Sequence, residues 1–99
     1  MKLKVDFITN SSSASFTILR SNLTPEQELL IYDHLEAAAM ISQRKPGHYD
    51  FGYISKMDEW TIREDSEKIY GDTSMDNFSM LSLLEAIGVP SGHIDYDHS

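Results

Sequence analysis

His93, Asp95 and Asp97 alternate along the last stretch of the chain and are followed by His98. On an extended backbone the first three project to one side, and one imidazole with two carboxylates suits a hard or borderline divalent ion. A donor set at a chain end lacks the surrounding groups that hold metal ligands in place, so no metal and no cofactor is expected. A larger set of acids, Asp58, Glu59, Glu64, Asp65, Glu67, Asp72 and Asp76, crowds one stretch of the second half. Paired carboxylates do acid–base chemistry only where a cleft gives them different environments. These fall mostly on expected turns and outward strand positions, which suits either a solvated face or a surface that mimics a phosphate array and docks on a basic protein groove.

Ser91 stands near His93, but the chain has no Gly-x-Ser-x-Gly elbow, no phosphate-binding Gly-x-x-x-x-Gly-Lys loop and no Gly-x-Gly-x-x-Gly turn. With neither a nucleophile and its base nor a metal set, an enzyme is not expected. Asn10, Ser11, Ser12, Ser13 and Ser15 form a second polar set. Such a run can present backbone and hydroxyl groups to an anion, accept phosphoryl groups, or simply make a polar hairpin loop. His34 falls within the apolar stripe of an expected helix, where a lone histidine is more often packed than ligating.

The 99 residues carry a net charge of −8, divided unevenly. Five Lys/Arg face six Asp/Glu in residues 1 to 50, against three and ten in residues 51 to 99, so the halves carry −1 and −7. That field repels nucleic-acid phosphates and anionic lipid, so a basic protein is the expected partner, with no direct nucleic-acid or membrane contact. The absence of cysteine excludes disulfides, thiolate metal sites and a cysteine nucleophile. With no secretory or membrane-spanning apolar run, the expected location is the cytoplasm.

The elements that must position these groups follow from periodicity. Residues 2 to 8 alternate polar and apolar, and Ser15 to Leu19 do so again with Phe16 and Ile18 on one face, which predicts a β-hairpin across the serine run. Thr24-Pro25-Glu26-Gln27 is a capping box with proline at the first helical position, opening a helix over 25–43 with the stripe Leu30, Ile31, Leu35, Ala38, Ile41. Tyr49 to Ser55 is expected as a strand with Phe51 and Tyr53 on one face. Trp60 to Arg63 and Lys68 to Tyr70 form a second hairpin, ended by Gly71-Asp72. Thr73 or Ser74 caps a second helix with Asp76 in its first turn and Met80, Leu83, Leu84 and Ile87 inward, closed by Gly88 and Pro90. Residues 93–99 add a last short strand or stay loose.

This order predicts one α+β domain over residues 1–99, a two-layer fold with an antiparallel sheet built from β-hairpins and two helices on one face. Val5, Phe7, Ile18, Leu35, Trp60, Ile62, Phe78 and Leu84 are its expected core.

The run Asp6-Phe7-Ile8-Thr9-Asn10-Ser11-Ser12-Ser13-Ala14-Ser15-Phe16 resembles an opening found in many otherwise dissimilar, uncharacterised small proteins of bacteria and tailed bacteriophages. Those usually carry a further serine where this chain has Ala14. Thr73 to Met80, followed by Leu84-Glu85-x-Ile-Gly-Val, resembles small phage proteins with the same opening. The resemblance implies a phage-type accessory protein and brings no catalytic residue with it. Such a protein acts by binding another, here by inhibiting a basic or nucleic-acid-binding host protein through the acidic second half. A small structural or virion-associated protein that self-associates is the alternative.

Overall fold

The computed structural model describes residues 13–98. Four strands, β1 (Ala14–Leu19), β2 (Thr61–Glu64), β3 (Lys68–Thr73) and β4 (Asp95–His98), form one antiparallel sheet in the order β2-β3-β1-β4. Three helices, α1 (Pro25–Tyr32), α2 (His34–Arg44) and α3 (Met80–Ala86), cover one face of it. The fold is α+β.

In β1 the alternation buries Ala14, Phe16 and Ile18 and turns Ser15 and Thr17 to the other face. Register then assigns the rest: Ile69 and Gly71 of β3 lie opposite Ile18 and Phe16, and Tyr96 of β4 flanks Phe16. The outer face carries Thr61, Arg63, Tyr70, Asp72, Asp95 and Asp97. Both edges of β1 are hydrogen-bonded over Ala14–Thr17, to β3 and to β4. The expected strand at residues 2 to 8, with Val5 and Phe7, lies outside the described residues.

The Thr24 cap forms as expected: Gln27 N–H donates to Thr24 Oγ1 at 3.1 Å, and Thr24 N–H donates to Gln27 Oε1 at 2.9 Å. The single helix expected over 25–43 is two, broken at Asp33 with φ −101° and ψ 39°. The neighbouring imidazole supplies the cause. His34 Nδ1 lies 2.8 Å from the carbonyl oxygen of Ile31, the acceptor that an unbroken helix gives to residue 35. Ile31, Ala37 and Ala38 are buried and Leu30, Leu35 and Ile41 pack partly buried beside them.

Three further expectations are corrected. Tyr49 to Ser55 is no strand; it contributes only a bridge between Gly52 and Phe78. Asp50 Oδ1 accepts the Gly52 N–H at 3.0 Å and Gly52 adopts φ +71°, a turn that overrides the β-propensity of the aromatic residues. Phe51 is consequently buried and Tyr53 exposed, instead of sharing a face. Gly71-Asp72 does not end β3, which runs to Thr73. A Cβ on Gly71 would stand 2.2 Å from Phe16 Cε2, so glycine is there to seat the ring.

The third correction is the start of α3, capped not by Thr73 or Ser74 but by Ser79, whose Oγ accepts from Ser82 N–H at 3.3 Å. The preceding backbone is committed elsewhere: Ser79 N–H donates to Phe51 O and Tyr53 N–H to Asn77 O, both at 2.8 Å, while Trp60 Nε1–H donates to Phe78 O at 3.1 Å. Asp76 therefore lies before the helix and bonds His98 Nε2 at 2.8 Å. Of the two outcomes for the tail, the strand is realised as β4. Ile18, Trp60, Phe78 and Leu84 are buried together, and Leu35 and Ile62 pack partly buried against them.

Gly71→Ala should lower stability by about 1–3 kcal/mol, the usual cost of an overpacked core. Phe16→Leu in the same chain should return part of that loss. A double-mutant cycle by chemical denaturation checks it, and additive effects would refute the contact.

Candidate functional site

The seven acids divide by what they touch. Glu64, Asp65 and Glu67 surround the β2–β3 turn, and the side chains of the first two hold it. Asp65 Oδ1 accepts the N–H groups of Glu67 and Lys68, each at 2.8 Å, and Oδ2 accepts the Tyr70 hydroxyl. These bonds, the tyrosine's first, hold the Asp65 carboxyl down from its ordinary 3.8 to about 2. Glu64 joins Arg20 at 3.1 Å and accepts the Tyr32 hydroxyl at 2.5 Å, which pushes that phenol up to about 12. Arg20 also forks onto Glu28 through Nε at 3.2 Å and Nη2 at 3.1 Å, and donates to the carbonyl of Asp65 at 2.8 Å. Its own N–H bonds Glu67 O. One guanidinium thus ties the hairpin turn to α1, a role for Arg20 and Glu28 that the sequence did not announce because their partners lie far along the chain.

Asp58, Glu59 and Asp72 gather elsewhere, at the Thr73 end of the sheet. With Met57, Thr61, Thr73, Ser74, Met75 and Asn77 they line a groove of about 510 Å³. Asn77 Nδ2 donates to Asp58 at 3.0 Å, Lys56 pairs with Glu59 at 3.2 Å and Arg63 with Asp72 at 2.7 Å. The last two pairs are solvent-exposed, where an ion pair contributes little. Among the described residues no lysine or arginine lines the groove itself. Met57 is 94% exposed and Met75 54%, an unusual display for methionine. Sequence reading missed both; the available signal was Met57 standing alone among the polar residues of Ser55-Lys56-Met57-Asp58-Glu59.

The serine set reaches the same end. Ser15 lies in register between Asp72 on β3 and Asp97 on β4, and Ser13, Ser15, Asp72, Thr73 and Asp97 line a shallow depression of about 230 Å³ beside the groove. Asn10, Ser11 and Ser12 lie outside the described residues. In the tail, Asp95 and Asp97 share the outer sheet face, whereas His93 ends a 3₁₀ turn before the strand and His98 is engaged by Asp76. Among the described residues no group of three or more His, Asp or Glu is placed to hold a metal ion.

His34 is buried, as expected of a packed residue. Its Nε2 accepts the Trp60 backbone N–H at 2.9 Å, so the ring proton sits on Nδ1 and faces the Ile31 carbonyl. Burial lowers its pKa below the ordinary 6.5.

No family model, curated protein or solved structure matches this chain.

Both titrations act on stability in one direction. A depressed pKa means the unfolded chain binds the proton more readily, so the contribution is complete above the unfolded value and is lost as pH falls. Stability should fall first below about pH 6.5 as His34 takes up a proton, and again between about 4 and 2 as Asp65 does. Urea midpoints measured across pH should lose the first fall in His34→Gln and the second in Asp65→Asn. Unaltered profiles in either variant would contradict its assignment.

Proposed function

We propose that this chain is a phage-type accessory protein that works by binding a basic protein partner, and that the groove between Met57 and Met75 is where it binds. The observation that carries the reading is the pairing of two exposed methionines with three carboxylates on one concave surface. Thioether side chains are flexible and polarizable and adapt to varied apolar shapes. Carboxylates around them select the long stems and charged ends of lysine and arginine. Glu64 and Asp65, by contrast, serve the fold, so the acidic surface offered to a partner is narrower than the charge distribution suggests.

A partner whose basic surface meets nucleic acid would be inhibited directly, because the groove's carboxylates occupy the side chains that otherwise bind phosphates. The same charge disfavours nucleic acid as a ligand of this chain. No helix among the described residues is long and apolar enough to cross a membrane.

Immobilised protein should retain a basic protein from bacterial lysate in stoichiometric amount, with an association rate that falls steeply as salt rises. Met57→Ala with Glu59→Lys should slow association by about tenfold or more, within the range that electrostatic steering supplies. Glu67→Lys, on the distant hairpin turn, should leave it unchanged. Equal association by all three proteins would mean that the groove is ordinary solvated surface. Self-association on sizing, with nothing retained, would favour the structural role.

A further inference from the structure

β2 lies at the edge of the sheet, and among the described residues its outer side has no strand partner. Which backbone groups face outward follows from the ladder. Asp65 N–H bonds Lys68 O at 2.9 Å, so the residues of β2 that bond β3 are those in step with Asp65, namely Arg63 and Thr61. Trp60, Ile62 and Glu64 must turn their N–H and C=O groups away from β3. The first of these confirms the phase, since Trp60 N–H points outward into His34 Nε2. The imidazole thus closes the beginning of the edge, and among the described residues no group bonds the outward N–H and C=O of Ile62 and Glu64.

This open stretch begins between two acid-lined grooves. One is the Met57–Met75 groove; the other, about 290 Å³, is lined by Asp33, Leu35, Glu36, Lys56 and Glu59, and Glu59 belongs to both. Resting on the binding role proposed above, we infer that the partner contributes an extended, positively charged segment that adds to the sheet as a strand alongside β2. Main-chain bonds to Ile62 and Glu64 hold it, and alternate side chains fall toward the two grooves. Charge complementarity selects the occupant. A second copy would bring a net charge of −8 against −8 and, in antiparallel register about Arg63, set the two arginines opposite each other. A basic segment meets neither penalty.

The test uses the full chain and two probes: an eight-residue peptide of alternating lysine and valine, and the oligomer of N-substituted glycines with the same side chains, which keeps the charge but has no backbone N–H. The peptide should bind, slow amide hydrogen exchange at Ile62 and Glu64 at least tenfold, and bind at least tenfold better than the oligomer. Ile62→Pro should weaken peptide binding by a similar factor, since proline at an outward edge position removes no bond of the ladder. If peptide and oligomer bind alike, unaffected by Ile62→Pro but weakened by Glu59→Lys, strand addition is refuted and the groove remains the binding site. If neither binds, both readings fall. Slowed exchange at Ile62 and Glu64 without peptide, together with a dimer on sizing, would make a second copy the occupant and overturn the inference.

Discussion

Trp60 enters the core just before β2 begins, and its backbone N–H points away from β3 into a space that the side chains close to water. A buried donor without a partner there would cost about 1–3 kcal/mol. His34 Nε2 meets it at 2.9 Å, which requires a neutral ring with its proton on Nδ1, and burial supplies that condition by lowering the pKa. The proton on Nδ1 in turn needs an acceptor and takes the Ile31 carbonyl at the junction of α1 and α2. One imidazole therefore bends the helical segment and fixes where β2 starts. Its ring also packs against Phe78, 5.3 Å away.

The consequences run on through Phe78. Its carbonyl accepts the Trp60 indole N–H, and its ring lies nearly parallel to Phe51 at 6.3 Å. The backbone on either side of it is bonded to residues 51 and 53, so α3 cannot begin before Ser79. A loop from residue 74 to 79 is thereby held open beside the segment 56–59, and the groove with Met57 and Met75 is the space between them. At the other end of β2 the Arg20 cluster performs the matching service, pinning the hairpin turn to α1 through Glu28 and Glu64. The edge strand is anchored at both ends by side chains, and between them its outer side has no strand partner among the described residues.

What was legible in the sequence was what short-range chemistry decides. The alternation of Ser15 to Leu19, the Thr24 box, the second hairpin and the closure at Gly88 all depend on residues within a few positions of one another, and all are present. The errors share a cause. Gly71 reads as a breaker until the ring of Phe16 is laid over it, and Thr73 and Ser74 read as helix caps until Phe78 is required by Trp60 and Phe51. His34 was assigned correctly as a packed residue, but nothing local shows that it would divide a helix. In the candidate site, the acids were visible as a group and their division into structural and displayed members was not, because Arg20 and Tyr70 select among them in space.

That division bears on why a chain of this size tolerates a second half with three cations against ten carboxylates. Concentrated like charge opposes compaction unless it is neutralised or spread out. Here Glu64 and Asp65 are drawn into hydrogen bonds and ion pairs, so their charge stabilises the turn instead of repelling it. Asp97 and Asp95 are spread along the outer face of β4, separated by Tyr96, which points to the core. Glu59 and Asp72 hold only exposed partners, and these are cheap to exchange for a stronger cation. The negative field is therefore carried by the whole half, while the carboxylates with only exposed partners lie beside an edge of the sheet whose outer side has no strand partner among the described residues.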